Sequence, residues 1–246
     1  MPGENSEVGG MVEGETPAAE KQPRPEKQPR PGVQAVVAVV AMAGLMGGLW
    51  GLGKVLPGQS GEQGPAACSH SDEHLPARYV SGAKLCAALN RPDLPALLGT
   101  PAEQAETAQG TGNWITMADG EKIPDPEAEV SLTTYAVQLS ASYDGLPVGR
   151  TARLLSADAR STTVLGHPAA LYSSRTVQFT FRFDGGKSRA DPGGVARCLL
   201  VARDVKEGGG SFEIVVWRQD DVLPDDAALL RVARKVLPTV PGWSGG

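Results

Sequence analysis

The sequence predicts an α+β fold, an antiparallel sheet with flanking helices, preceded by one transmembrane helix and a disordered N-terminal tail. Three observations support this prediction. Nineteen residues without a charge, Ala35–Gly53, stand ahead of the folded part. Apolar residues then alternate in several short runs, which is typical of strands, and helical patterns stand before and after those runs. The predicted segments are a cytoplasmic tail over residues 1–32, a transmembrane helix over 33–54, a juxtamembrane linker over 55–78 and an extracytoplasmic α+β domain over 79–243.

The N-terminal tail is predicted to be disordered. Residues 1–32 contain no aromatic residue and repeat Glu-Lys-Gln-Pro-Arg-Pro at Glu20–Pro25 and Glu26–Pro31. So little apolar surface does not offset the entropy lost on ordering, and the repeats favour polyproline II. Two interpretations remain open, a solvated stalk that supplies topogenic charge and a docking peptide for a cytoplasmic partner.

The uncharged segment Ala35–Gly53 is predicted to contact membrane lipid along its whole length. Nineteen helical residues at about 1.5 Å each nearly cover a hydrocarbon core of about 30 Å, and a helix satisfies its own backbone groups there. Basic residues are more frequent before the segment than after it, which predicts a single-pass protein of the cell membrane with a cytoplasmic N-terminus. The flanking basic residues are Lys21, Arg24, Lys27 and Arg30 before it and Lys54 after it.

Cleavage after the apolar segment is the competing interpretation. The small residues before Cys68 resemble a secretory or lipoprotein cleavage site, but the apolar run is long for a signal peptide and Ala67 lies fourteen residues beyond Gly53. We therefore expect an uncleaved signal anchor. Inside it, Gly44, Gly48 and Gly51 share one helical face and would allow a homodimer, although glycine is also common in membrane helices.

Composition excludes one class of partner and indicates a source. With a net charge of −5 and no cluster of basic residues in the domain, the chain lacks the electrostatic pattern of a nucleic-acid-binding protein. Arg is more frequent than Lys. The residues Ile and Asn are rare, whereas Ala, Gly and Pro are abundant. This bias is typical of proteins from high-GC bacteria.

The three cysteines all follow the predicted anchor, in what would be an oxidising compartment. Cys68, Cys86 and Cys198 allow three pairings, and an odd count leaves one thiol free. Proximity favours Cys68 with Cys86, which would tie the linker to the first helix.

Several helices are predicted from caps and periodicity. Ser81 caps a helix through Asn90, and Gly99 ends a brief turn over Pro92–Leu98. The last helix has acidic residues at its start, a buried stripe and basic residues at its end. The remaining helical predictions are a helical or irregular segment over Thr100–Gly112, a helix over Leu146–Leu155, and the last helix from Pro224 to Pro238 with Leu229, Val232, Val236 and Leu237 buried.

The strands are predicted from alternation. Glu129–Tyr143 alternates with a slip at Thr133 and Thr134 that indicates a bulge or turn. Two runs that are apolar on both phases are expected to be central strands covered on both faces. The other predicted strands are a short one at Ile115, a hairpin of Thr162–Leu165 with Ala169–Ser173 around a Gly166–Pro168 corner, the run Val177, Phe179, Phe181 and Phe183, and the central pair Arg197–Arg203 and Ser211–Trp217.

Four segments carry a resemblance to known families: YVSGAKLCAALNRPDLPALLGTP, VLGHPAALY, GGGSFEIVVWRQDD and PDDAALLRVARKVLPTVPGW. They resemble an actinobacterial family of membrane-anchored proteins of unknown function, over residues 79–243. The order of helix, antiparallel strands and closing helix is also similar to lipoprotein domains of the Mog1/PsbP-like type. Neither resemblance implies a catalytic or ligand-binding residue.

The densest group of chemically active side chains is Cys68, His70, Asp72, Glu73 and His74. These are residue types that bind zinc or copper. Binding there would also have to order the predicted linker, and no second shell is evident. A solvated stalk is the favoured interpretation, with a metal-binding linker at Cys68, His70 and His74 as the alternative.

His167 is the single histidine inside the predicted domain, so a hydrolase triad would have to use it. No Gly-x-Ser-x-Gly elbow accompanies it, and a histidine beside a proline is more often a polar turn residue. The aspartates after Arg218 lack EF-hand spacing, and the glycine pairs are interpreted as turns rather than phosphate loops. The aspartates are Asp220, Asp221, Asp225 and Asp226, and the glycines are Gly185, Gly186, Gly193, Gly194 and Gly208–Gly210.

Together these observations predict a non-enzymatic, single-pass membrane protein whose extracytoplasmic domain binds an envelope component, another protein or a small apolar ligand, with no cofactor. Trp114, Trp217 and Trp243 are candidates for a pocket, although large aromatic residues more often belong to a core. The alternatives are an envelope hydrolase that uses His167 and a structural or sensory subunit assembled through the glycine face of the anchor.

Overall fold

The computed structural model describes residues 64–72, 75–116, 120–180, 189–207 and 210–244. One sheet contains the strands β1 (Ser69–Asp72), β2 (Thr107–Thr116), β3 (Lys122–Ser131), β4 (Tyr135–Ser142), β5 (Arg160–Val164), β6 (His167–Thr180), β7 (Arg189–Ala202) and β8 (Ser211–Arg218). The described helices are α1 (Gly82–Leu89), α2 (Leu94–Leu98), α3 (Val148–Leu155) and α4 (Asp226–Val236), followed by a 3-10 turn (Leu237–Thr239).

The sheet is mixed, in the order β1-β2-β3-β4-β8-β7-β6-β5. Strand β1 is parallel to β2, with Ser69 opposite Gln109, while every other neighbouring pair is antiparallel. The α+β prediction is therefore confirmed, and the sheet predicted as antiparallel is instead mixed, because the β1–β2 pair is parallel. The reason is that β1 precedes α1 and α2, and a crossover through helices returns the chain in the same direction. Strand β1 lies in the segment predicted as linker.

Helices cover the two faces of the sheet unequally. Helices α1, α2 and α4 pack on one face, where alternate residues of the central strands, such as Leu139 and Ile214, are fully buried. Helix α3 packs on the other face against β6 and β7, where Val148 and Ala152 meet Cys198. Because β7 carries apolar residues on both phases, it is covered on both sides, as predicted.

Helix α1 lies unusually close to the sheet. Ser81 caps it and accepts a hydrogen bond from the Lys84 amide at 3.4 Å. A Cβ atom at Gly82 would overlap the backbone of Thr111, and one at Gly110 would overlap the backbone of Gly82. Glycine at both positions therefore permits the close contact of helix and strand.

Most predicted elements are confirmed. Gly99 ends α2 with a φ of 92°, and the four residues of the predicted stripe in the last helix are fully buried. Helix α3 begins after Pro147, and the slip at Thr133 and Thr134 is the turn between β3 and β4. Strands β7 and β8 occupy the centre of the sheet.

Three predictions are wrong. Half of the segment Thr100–Gly112 is strand rather than helix or irregular chain, because the buried positions of β2 are residues as small as Ala108 and carry little hydrophobic signal. His167 and Pro168 begin β6 and are not the corner, which is Leu165–Gly166. Gly193 and Gly194 lie within β7 and form its bulge, two residues opposite Thr176 of β6, where a Cβ at Gly193 would overlap the Thr176 hydroxyl.

Several predictions fall outside the described residues. These are the tail over 1–32, the anchor Ala35–Gly53 with Gly44, Gly48 and Gly51, residues Glu73 and His74, the alternating Phe181 and Phe183, and Gly185, Gly186, Gly208 and Gly209. Among the helices that the structure does describe, none has the length and apolar character needed to cross a bilayer.

Candidate functional site

Four acidic side chains share the sheet face opposite α1. Asp125, Glu127 and Glu129 alternate along β3, and Glu213 lies on β8. Alternate residues of a strand point to opposite faces, and Ala128, between two of these acids, belongs to the core under α1. We call this group of four residues the carboxyl face.

The strand register brings the carboxyl groups of β3 and β8 into one row. Glu213 lies opposite Ser140 of β4, and Ser140 lies opposite Glu127. Neighbouring strands are about 4.8 Å apart, so the backbones of Glu127 and Glu213 are separated by about 10 Å. Helix α3 packs on the same face, over β6 and β7.

Glu127 and Glu129 are almost completely buried, each with 4% of its surface exposed. Glu127 Oε2 accepts a hydrogen bond from Gln138 Nε2 at 2.7 Å, and Glu129 Oε1 accepts one from Ser131 Oγ at 3.2 Å. Glu129 Oε2 is buried with no hydrogen-bond partner in the described chain. A buried acceptor without a donor is costly, and such an atom calls for an explanation.

Burial raises the pKa of each of the four carboxyl groups above its ordinary value. Burial raises the pKa of Glu129 to about 7, and burial together with the charge of Asp125 raises the pKa of Glu127 to about 7. Burial also raises the pKa of Asp125 and of the half-buried Glu213. Within the described ranges, no lysine or arginine forms an ion pair with any of the four.

A polar network continues from Glu213 under α3. The Tyr172 hydroxyl donates a hydrogen bond to Glu213, and burial and the nearby Glu213 carboxylate raise the pKa of Tyr172 well above its ordinary value. The Cys198 thiol lies 3.2 Å from Ser174 Oγ, and burial raises its pKa strongly. A thiol held in its neutral form is a poor nucleophile.

His167 is fully buried on the opposite face of the sheet from the carboxyl groups. Its Nδ1 lies 2.9 Å from the Ala202 carbonyl oxygen, and its ring stacks on Trp243 with centroids 3.9 Å apart. Nε2 has no partner within the described part of the chain. The interpretation of His167 as a polar turn residue is therefore wrong, because His167 begins β6 and is buried in the core.

The predicted metal-ligand group does not assemble. Cys68 is bonded to Cys86 in a disulfide, with Cα atoms 6.1 Å apart, so its thiolate is not available to a metal. His70 is exposed on β1, and His74 lies outside the described residues. No group of three or more His, Cys, Asp or Glu side chains in the described ranges is arranged to hold a metal ion.

The three tryptophans have different immediate neighbours. Trp114 meets Tyr79 edge-to-face with centroids 6.1 Å apart, Trp243 stacks on His167, and Trp217 packs beside the core under α3. An open cleft of about 370 Å³ lies between α1 and the 3-10 turn. It is lined by Lys84, Ala87, Ala88, Arg91, Thr239 and Pro241.

Comparison with known proteins places this fold in a family. Residues 26–158, more than half of the chain, match DUF6215, a family of unknown function. The chain belongs to this family. The DUF6215 match covers β1 to β4 and includes Asp125, Glu127 and Glu129, whereas Glu213 lies beyond it. No curated protein and no solved structure matches the chain.

Sequence reasoning missed the carboxyl face for a specific reason. Pro124 and Pro126 argue against a strand at the start of β3, because proline removes ladder donors. The alternation of acids with Ala128 and Val130 was the available signal, but such a pattern usually indicates a strand with one solvated face. The burial of Glu127 is a tertiary property that this alternation does not report.

Proposed function

We propose that this DUF6215 protein is a single-pass membrane protein, anchored without cleavage through Ala35–Gly53, with a cytoplasmic N-terminus. Its folded domain lies outside the cytoplasmic membrane and acts by binding an envelope protein or ligand rather than by catalysis. Residues Gly44, Gly48 and Gly51 of the anchor are the contact surface of a homodimer in this proposal. Nucleic acid is not among its partners, because the domain lacks a basic surface pattern.

The Cys68–Cys86 disulfide is the observation that carries this proposal. It joins the start of the domain to α1, and Asn90 Nδ2 holds the same segment by donating to the Ala66 carbonyl oxygen at 2.7 Å. Disulfides persist in oxidising compartments and are rare in the cytoplasm. A stable disulfide therefore favours a domain on the far side of the membrane from the N-terminal basic residues.

The surroundings of the candidate catalytic residues support binding rather than catalysis. A general base must reach both its nucleophile and the substrate. His167 is enclosed between Ala202 and Trp243, and Cys198 is buried with a raised pKa. The envelope hydrolase is therefore the less favoured alternative, since its histidine would have to leave the core.

The finer family placement is also a proposal. The compositional bias supports an actinobacterial source. The order of α1, a run of antiparallel strands and the closing α4 supports a likeness to Mog1/PsbP-type lipoprotein domains.

Thiol counting in cells that express the full chain tests the location of the domain. Cells are quenched with acid, and the denatured protein is alkylated with a mass-tagged maleimide before and after reduction. We expect one modified cysteine before reduction, Cys198, and three after it. A tag after Trp243 should also be accessible to protease in intact cells.

The Cys198→Ser variant is the matched control, with no modified cysteine before reduction and two after it. Three free thiols in unreduced protein, a tag protected in intact cells, or a mature product that begins after Ala67 would each overturn the proposal.

A further inference from the structure

We propose that the carboxyl face is a binding site for a small organic polycation of the aliphatic polyamine class, with Glu127 and Glu129 in direct contact with its ammonium groups. This deepens the proposed function by naming a ligand class for the binding domain. It depends on the fold of the domain and not on which side of the membrane the domain lies.

Glu127 and Glu129 face no counter-charge in the described part of the chain. The side chains that face Glu127 and Glu129 from neighbouring strands are Gln109 and Thr111 on β2, Gln138 and Ser140 on β4, and Glu213 on β8, with Tyr172 and Cys198 beyond them on β6 and β7. In the described chain this set contains acids and neutral groups but no cation. Buried carboxylates are normally paired or take up protons.

One carboxyl oxygen of Glu129 is buried without a donor in the described chain. Glu129 is 4% exposed and uses Oε1 for Ser131, but Oε2 has no donor. An ammonium group offers three donors and a positive charge, which is what Glu129 Oε2 lacks.

The spacing of the acids favours several small positive groups over one metal ion. Alternate residues of β3 are about 7 Å apart, and Glu213 is about 10 Å from Glu127 across two strands. A metal ion needs its oxygen ligands within about 2.6 Å of one point, and no group of three described ligands is arranged in that way. A polyamine carries ammonium groups at intervals along a chain and can serve separated carboxylates.

The proposed site exchanges protons for the ligand. Glu127 and Glu129 have pKa values near 7, so a cation that binds their ionised forms must displace protons below that pH. Between about pH 6 and pH 8 the ionised fraction of each group rises about tenfold. Affinity should therefore rise about tenfold over this interval for each carboxyl group that releases a proton.

The experiment titrates the full-length protein in lipid nanodiscs with spermidine. Binding is followed by calorimetry at about pH 6 and about pH 8, in two buffers of different ionisation enthalpy so that released protons are counted. We expect saturable binding at the higher pH, affinity at least tenfold lower at the lower pH, and proton release on binding. Sodium chloride at matched ionic strength controls for screening of surface charge.

Two isosteric variants assign the site. Glu129→Gln should lower the affinity at least tenfold, and Glu127→Gln should do the same. Glu106→Gln is the matched control, because the exposed Glu106 carboxylate only accepts a hydrogen bond from Thr133. It should bind spermidine like the unmodified protein.

Absence of saturable binding at the higher pH overturns the inference, as does equal binding by the unmodified protein and Glu129→Gln. Circular dichroism establishes that each variant is folded before it is titrated. A failure of the proposed membrane topology would appear in the thiol count and leave this titration unaffected.

Discussion

Replacing Glu129 by glutamine should make the stability of the domain less dependent on pH. The carboxyl group of Glu129 is buried, and its pKa is about 7 against an ordinary value of 4.5. Below pH 4.5 the group is protonated in both the folded and the unfolded chain, so it contributes no pH dependence there. Between pH 4.5 and about 7 the folded chain binds more protons than the unfolded chain, and stability falls as the pH rises.

The size of the effect follows from the pKa difference. At 1.36 kcal/mol per pKa unit, a rise from 4.5 to about 7 corresponds to about 3 kcal/mol. Glutamine has nearly the same shape but never ionises. The buried glutamine amide lowers the free energy of unfolding by the same amount at every pH, because its N–H groups lack an acceptor. We therefore compare the variant with the unmodified protein at each pH and follow how the difference in their free energies of unfolding changes. We expect that change to be about 2.5 kcal/mol between about pH 5 and pH 8, in favour of the variant at high pH.

Urea unfolding followed by tryptophan fluorescence at several pH values measures this quantity. Glu106→Gln is the control, because Glu106 is exposed and the variant makes the same substitution at a site without burial. A constant difference for Glu129→Gln would refute the reasoning, since it would mean that the Glu129 carboxyl group is not held neutral by burial.

Three further predictions concern stability. Cys68→Ser should lower the free energy of unfolding by about 3 kcal/mol, because the disulfide closes a loop with a sequence separation of 18, and reductant should then lower the melting temperature of the unmodified protein only. Gly210→Ala should lower the free energy of unfolding by about 3 kcal/mol, because φ is 90° and the new Cβ would overlap the backbone of Ser142. Gly99→Ala should lower it by about 1 kcal/mol in the same urea titration, because φ is 92° but the space beside the residue is free. His167→Ala should lower the free energy of unfolding by about 3 kcal/mol and quench or shift the Trp243 emission, because it removes a stacked ring from the core. An unchanged urea midpoint would contradict the placement of His167 in the core.

The elements that sequence patterns predicted well are those whose signals are local. The last helix has Asp225 as its cap, accepting from the Ala227 amide at 3.0 Å, and acidic and basic residues at opposite ends. Its buried stripe follows helical spacing. The central strands β7 and β8 were recognisable because apolar residues occupy both phases, a pattern typical of strands inside a sheet that is covered on both faces.

The elements that were missed depend on partners far along the chain. Strand β1 becomes a strand because its edge meets β2, about forty residues later, with Ser69 opposite Gln109. Strand β2 buries Ala108 and Gly110 rather than large side chains, because α1 lies so close to it. The pairing of β1 with β2 and the closeness of α1 to β2 leave little trace in the local hydrophobic pattern, so that pattern does not predict them.

The candidate site could not be predicted from the local sequence pattern either. Acids that alternate along β3 predict a solvated face, and only the three-dimensional burial of Glu127 and Glu129 makes them unusual. The disulfide, by contrast, followed from the proximity of Cys68 and Cys86 in sequence, and the structure confirms that pairing.

The most direct test of the account is the titration of the Glu127 and Glu129 carboxyl groups themselves. Carbon-13 NMR of protein labelled at the glutamate side-chain carboxyl carbon follows each group as the pH is raised, and the Glu→Gln variants assign the two signals. We predict that both signals titrate near pH 7, because both groups are buried without a cation. Titration of both groups at or below the ordinary 4.5 would contradict the account.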